Sequence, residues 1–133
     1  MVIARILYGR DSNYAEAVSD LTRAIEINAL ESAEQSLDTG HFKKVDLFFN
    51  RGADRFALGD NQSAIDDFTR GLDICDQYNS DDYRETLYFW RAEALLRLGK
   101  KHEAIADLAR VADDFSFWTY KLRTKKDLLT DCD

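Results

Sequence analysis

The chain has 133 residues, no proline and two cysteines, and 45% of its residues are hydrophobic, which describes one globular domain with enough apolar content for a real core. Its 25 acidic residues outnumber its 18 basic ones, for a net charge of −7. That sign argues against a nucleic-acid binder, whose affinity comes from neutralising phosphate, and favours basic partners. No apolar run approaches the length of a membrane span, so no membrane partner is expected.

The N-terminal stretch Met1 to Leu7 is apolar but meets Arg10 and Asp11 almost at once. It lacks the basic start, longer apolar region and small-residue cleavage site of a secretory signal, and a cytoplasmic protein is expected. In that setting Cys75 and Cys132 read as reduced thiols, with a disulfide between them as the alternative.

In chain order, a short helix is expected over Val2 to Gly9, followed by a helix that includes Ala17 to Ile27. Asn28 to His41 contains Leu30, Ala33 and Leu37, and is either a helical extension or a loop ending at Gly40. A helix around Phe49 to Leu58 then ends at Gly59, and Ala64, Ile65, Phe68, Leu72 and Cys75 form one stripe of the next. Asp66, Asp67, Arg70 and Asp73 are turned away from that stripe. Ser80 or Asp81 is placed to cap a helix beginning near Tyr83. That helix ends at Gly99, and Ala104, Ile105, Leu108 and Val111 with Ala112 form the stripe of its successor. A terminal helix over 116–130, with Trp118, Leu122 and Leu129 on one side, is expected to cover the end of the stack.

The elements repeat. Phe49-Asn50-Arg51-Gly52-Ala53-Asp54-Arg55-Phe56-Ala57-Leu58-Gly59 returns as Phe89-Trp90-Arg91-Ala92-Glu93-Ala94-Leu95-Leu96-Arg97-Leu98-Gly99. Ala64 to Asp73 likewise returns as Ala104 to Asp113, and Ala17 to Ile27 aligns with Ala64 to Ile74 without a gap. Self-similarity at this period marks stacked supersecondary units. One domain over 1–133 follows, with units at about 1–28, 42–78 and 83–114.

The pattern resembles the tetratricopeptide repeat, a helix–turn–helix unit of roughly 34 residues. Unit two carries it in Phe48, Gly52, Phe56, Gly59-Asp60, Ala64, Phe68 and Gly71. Unit three carries it in Tyr88, Ala92, Leu95, Gly99, Ala104, Leu108 and Val111. The resemblance covers roughly residues 1–115 and implies an all-α fold of stacked antiparallel helical hairpins, an α–α superhelix. It departs from the family in having no proline after the second helix, in Arg55 at a position where a buried aromatic is common, and in stretched spacers. In this family ligands lie along a groove formed by the first helices. The matching candidates are Phe49, Asn50, Ala53 and Phe56 in unit two, and Phe89, Trp90, Glu93 and Arg97 in unit three. Such aromatic and Arg positions are typical interface anchors, while the competing reading buries Phe49, Phe89 and Trp90 under neighbouring segments.

No catalytic, cofactor-binding or metal-ligating set is visible. His41 and His102 lack ligand-spaced neighbours, and no phosphate loop, nucleophile elbow or Cys–His pair occurs. The acidic pairs Asp66-Asp67, Asp81-Asp82 and Asp113-Asp114 read as solvent-facing charge or helix-dipole partners. The cluster from Lys121 to Lys126 reads as balancing nearby acids. The expected function is therefore a non-enzymatic protein–protein interaction module with one partner, a basic toxin domain or a peptide segment, the sharper form being an acidic immunity protein. The alternative is an adaptor bridging parts of a larger complex.

Overall fold

A computed structural model of the chain describes residues 13–35, 41–81, 83–118 and 122–132. Five helices follow one another: α1 Tyr14–Gln35, α2 His41–Ala57, α3 Asn61–Gln77, α4 Arg84–Arg97 and α5 Lys101–Leu108. Each packs against the next as an antiparallel hairpin, so the chain stacks as expected into an all-α pile. Strands β1 Ser116–Trp118 and β2 Leu122–Thr124 and the short helix α6 Lys125–Asp131 end it. Among the described residues no helix is long and apolar enough to cross a membrane. The expected helix over Val2 to Gly9 lies outside the described residues. Of the two readings of Asn28 to His41, the helical extension holds as far as Gln35.

The turns inside the two hairpins are copies of one another. Asp60 N–H donates to the Arg55 carbonyl at 2.9 Å and Gly59 N–H to Phe56 at 3.0 Å. Lys100 N–H donates to Leu95 at 2.9 Å and Gly99 N–H to Leu96 at 3.0 Å. This pairing requires a left-handed residue after the helix, and Gly59 and Gly99 supply it with φ of +82° and +78°.

The core forms where the hairpins meet. Phe49 and Phe56 of α2, Phe68 of α3 and Trp90 of α4 are all buried. Trp90 stands edge-on to Phe49 at 5.5 Å and to Phe56 at 5.4 Å between ring centroids, a favoured arrangement for aromatic quadrupoles. Close helix approach depends on small residues. A Cβ on Gly52 would sit 2.6 Å from the Phe68 ring, and one on Gly71 would sit 3.1 Å from Leu87.

Four expectations are corrected. Asp67, assigned to the solvent side of α3, is buried, because arginines from α2 reach it. Ile105 and Ala112, assigned to the apolar stripe of unit three, are exposed. Neither Ser80 nor Asp81 caps α4. The N-cap is Tyr83 at φ +66°, with no side-chain capping bond. Arg84 takes the Asp81 carboxylate at 3.2 Å and also donates to the carbonyls of Ser80 and Cys75. The strained Tyr83 is held by its hydroxyl bond to Asp46 and by its ring, 5.5 Å from that of Phe49.

The fourth correction concerns the terminal helix over 116–130. Residues 116–118 and 122–124 pair instead as an antiparallel hairpin, with Phe117 opposite Arg123, and only Lys125–Asp131 is helical. The aromatic residues Phe117 and Trp118 in β1, and the β-branched Thr124 in β2, favour extended chain over helix. Thr124, extended at φ −112°, forms a reciprocal capping box with Asp127 that starts α6 there.

Candidate interaction surface

Of the eight positions expected to line a groove, Phe49, Ala53, Phe56, Phe89, Trp90 and Glu93 are buried. The aromatic row is core, not open surface, and the reason lies in its neighbours. The Tyr83 ring lies 5.5 Å from that of Phe49, and the Phe115 ring lies 5.2 Å from that of Phe89. Arg123 of β2 reaches Glu93 at 3.2 Å and also pairs with Asp131 of α6, fastening the terminal hairpin to the first helix of unit three. Asn50 and Arg97 remain. Half-buried Asn50 donates to Asp46 at 3.2 Å. Arg97 is exposed, but its guanidinium lies 3.7 Å from the Phe56 ring centroid and donates to the Phe56 carbonyl. Desolvation of that end lowers its pKa from the ordinary value, with Glu93 opposing the shift and Arg123 adding to it.

A polar clamp recurs in units two and three. Arg51 of α2 donates to both carboxylate oxygens of Asp67 on α3, Nε at 3.0 Å and Nη2 at 2.7 Å, while its Nη1 reaches Thr22 of α1 at 3.2 Å. Arg91 of α4 repeats this with Asp107 of α5 at 2.8 and 2.6 Å and with Thr69 of α3 at 3.1 Å. Each arginine thus ties its own hairpin together and binds it to the second helix of the unit before. Charge-assisted bidentate pairs are among the strongest hydrogen bonds in proteins. The bonds to Asp107 raise the Arg91 pKa above its ordinary value. The aromatic three residues earlier belongs to the same module. Arg51 and Arg70 lie over the Phe48 ring at 5.5 and 5.6 Å, and Arg91 and Arg110 over the Tyr88 ring at 5.5 and 5.9 Å.

Arg51 and Arg91 stand at matching places in the repeat, but their residue type alone does not reveal this role. The available signal was the Arg-to-Asp separation, 16 residues in both units. In unit three the residue matching Thr69 is Ala109, which offers no hydroxyl to a further arginine. The clamp series stops there, and the terminal hairpin and α6 follow.

Two depressions open on the face where second helices meet. One, of about 340 Å³, is lined by Ile65 and Thr69 of α3, Arg91 and Leu95 of α4, and Glu103, Ala106 and Asp107 of α5. The other, of about 230 Å³, lies among α1, α2 and α3, with Asn28, Lys44 and Arg70 among its polar lining. Among the described residues no group of three or more His, Cys, Asp and Glu is placed to hold a metal ion. Cys75 is buried and Cys132 half-buried, and the alternative disulfide does not join them. Lys125, from the basic cluster near the C-terminus, binds Asp113 at 2.9 Å and the Val111 carbonyl at 2.7 Å.

A family model described as the tetratricopeptide repeat matches residues 85–113, the span of α4, its glycine turn and α5. Residues 85–113 are thus similar to that repeat, and the likeness suggests a protein–protein interaction or adaptor role. Comparison with curated proteins and with solved structures finds no match.

Proposed function

We propose that the protein is a non-enzymatic docking module that binds a protein partner on the face formed by its second helices. The observation that carries this reading is the depression of about 340 Å³ between α3 and α5. It lies on a scaffold made rigid by the Arg51–Asp67 and Arg91–Asp107 clamps. Along the row of first helices, where the family places its ligands, Phe49, Phe56, Phe89 and Trp90 are buried here, which supports docking on the other face. In its sharper form the partner is a basic toxin domain and the protein an acidic immunity protein. The charge of −7 supports that form through electrostatic steering.

A second reading, an adaptor bridging two components, is favoured by the presence of two separate depressions. Affinity purification from the native host, followed by calorimetry on the purified pair, tests both. One protein retained at one-to-one stoichiometry supports the docking module, and two proteins bound at once support the adaptor. No saturable protein partner overturns both. Rescue of growth when the protein is co-expressed with the toxic product of an adjacent gene would support the immunity form, and failure to rescue would overturn it.

A further inference from the structure

The two repeat units differ at one informative place. Arg55 of α2 corresponds to Leu95 of α4 in the aligned stretches. In unit two, Arg55 Nη1 reaches Asp67 Oδ2 at 2.9 Å, so that oxygen accepts two bonds, the other from Arg51 Nε at 3.0 Å. In unit three the matching oxygen, Asp107 Oδ2, accepts from Arg91 Nε alone among the described residues, at 2.8 Å. Leu95 cannot donate, and the space beside it is the depression of about 340 Å³ that Leu95, Asp107 and Glu103 line. Unit two therefore shows what fills this kind of site.

We infer that the depression between α3 and α5 is a socket for an arginine side chain of a protein partner, whose guanidinium completes Asp107 as Arg55 completes Asp67. The chemistry of the lining agrees. Asp107 is buried and holds its carboxylate in place through Arg91, so a second guanidinium meets a preorganised acceptor. Glu103, one turn earlier on α5, is exposed and adds a second negative charge at the mouth. Ile65, Leu95 and Ala106 supply apolar walls for the aliphatic stem, which arginine buries readily while its head stays hydrogen-bonded. A planar fork fits a carboxylate that already holds one guanidinium better than a point-charge ammonium does. The net charge of −7 favours approach of a basic partner. This inference rests on the docking reading above and names the partner group that the site recognises.

The test uses the full chain and Nα-acetyl-arginine methylamide as probe, followed by heteronuclear NMR. Saturable shifts are expected at Ile65, Leu95 and Ala106, with a dissociation constant of about millimolar for so small a ligand. Leu95→Arg places an intramolecular competitor in the socket and should weaken the probe by at least about tenfold. Glu103→Lys alters only an exposed side chain, so the fold is retained, and its like charge at the mouth should also weaken the probe by about tenfold. Shifts absent from these three residues, or undiminished in Glu103→Lys, overturn the socket. The titration requires no natural partner. A silent titration beside a proven partner removes the socket alone, whereas the docking module falls only if no protein partner is found.

Discussion

Arg51 and Asp67 meet across the α2–α3 hairpin through two N–H···O bonds of 3.0 and 2.7 Å, with the Asp67 side chain only 2% exposed. A carboxylate this deeply buried is tolerable only because Arg51 and Arg55 both donate to it. Removing it leaves two guanidinium groups without their acceptor. Asp67→Ala is therefore expected to cost about 3–5 kcal/mol, read as a lower urea midpoint at unchanged slope. Asp107→Ala strands one guanidinium, Arg91, and should fall at the lower end, about 3 kcal/mol. Equal losses for the two would show that Arg55 contributes nothing to holding Asp67.

Gly52 and Ala92 occupy equivalent positions, yet the first must be glycine. The difference lies in the facing residue. Phe68 opposes Gly52, with its ring 2.6 Å from where a Cβ would stand, while the smaller Leu108 stands at the corresponding place in unit three. Gly52→Ala should therefore destabilise by about 1–3 kcal/mol through overpacking. The double variant Gly52→Ala/Phe68→Leu should be more stable than the sum of the single changes implies, since each relieves the other. Strict additivity in thermal or urea melts would place the Gly52 constraint elsewhere.

Trp90 is 0% exposed and held by Phe49, Phe56 and Phe68. With Trp118 replaced by Phe, the remaining emission should be blue-shifted and poorly quenched by acrylamide. Phe49→Ala should cost about 3–5 kcal/mol and shift that emission to the red as the cavity opens. Strong quenching of Trp90 in the folded protein would restore the open groove that the sequence suggests and contradict the packing described.

Asp113 is held by Lys125, whose hydrogen bond and charge lower the carboxyl's pKa below its ordinary value. Such a group contributes stability above the unfolded carboxylate pKa and loses it as pH falls through the folded one. Stability should therefore decline less steeply on acidification in Asp113→Asn than in the parent. Melting temperatures measured from neutral pH down to about pH 3, below the ordinary carboxylate pKa, check this, and parallel curves would remove the Lys125 pair as a contributor. The same pair joins the turn after α5 to the start of α6, so its loss should also raise hydrogen exchange in α6.

Helix identity and stacking were legible in the residues themselves. Apolar spacing along Ala64, Ile65, Phe68, Leu72 and Cys75, and glycines at 59 and 99, specify helices and their ends through local geometry alone. The repeat adds that like units pack alike. Side-chain destinations were not legible in the same way. Asp67 and Asp66 are adjacent acids on one helix, and nothing local tells which of them an arginine 16 residues upstream will reach. Phe49, Phe89 and Trp90 belong to a pattern that elsewhere lines a groove. Whether they are covered depends on Tyr83, Phe115 and Arg123, which arrive from other parts of the chain.

The terminal segment shows the same division. Its apolar spacing suited a helix over 116–130, but the Thr124–Asp127 capping box and the Arg123–Glu93 tether start the helix only at Lys125. By itself, then, the sequence determined the all-α stack of hairpins, because periodicity and turn chemistry act over a few neighbouring residues. Only the tertiary structure decided which polar groups are clamped and where a socket is left open. Burial and charge pairing depend on what distant segments bring to each side chain, and Leu95 in place of a second arginine becomes a cavity only once α3, α4 and α5 have come together.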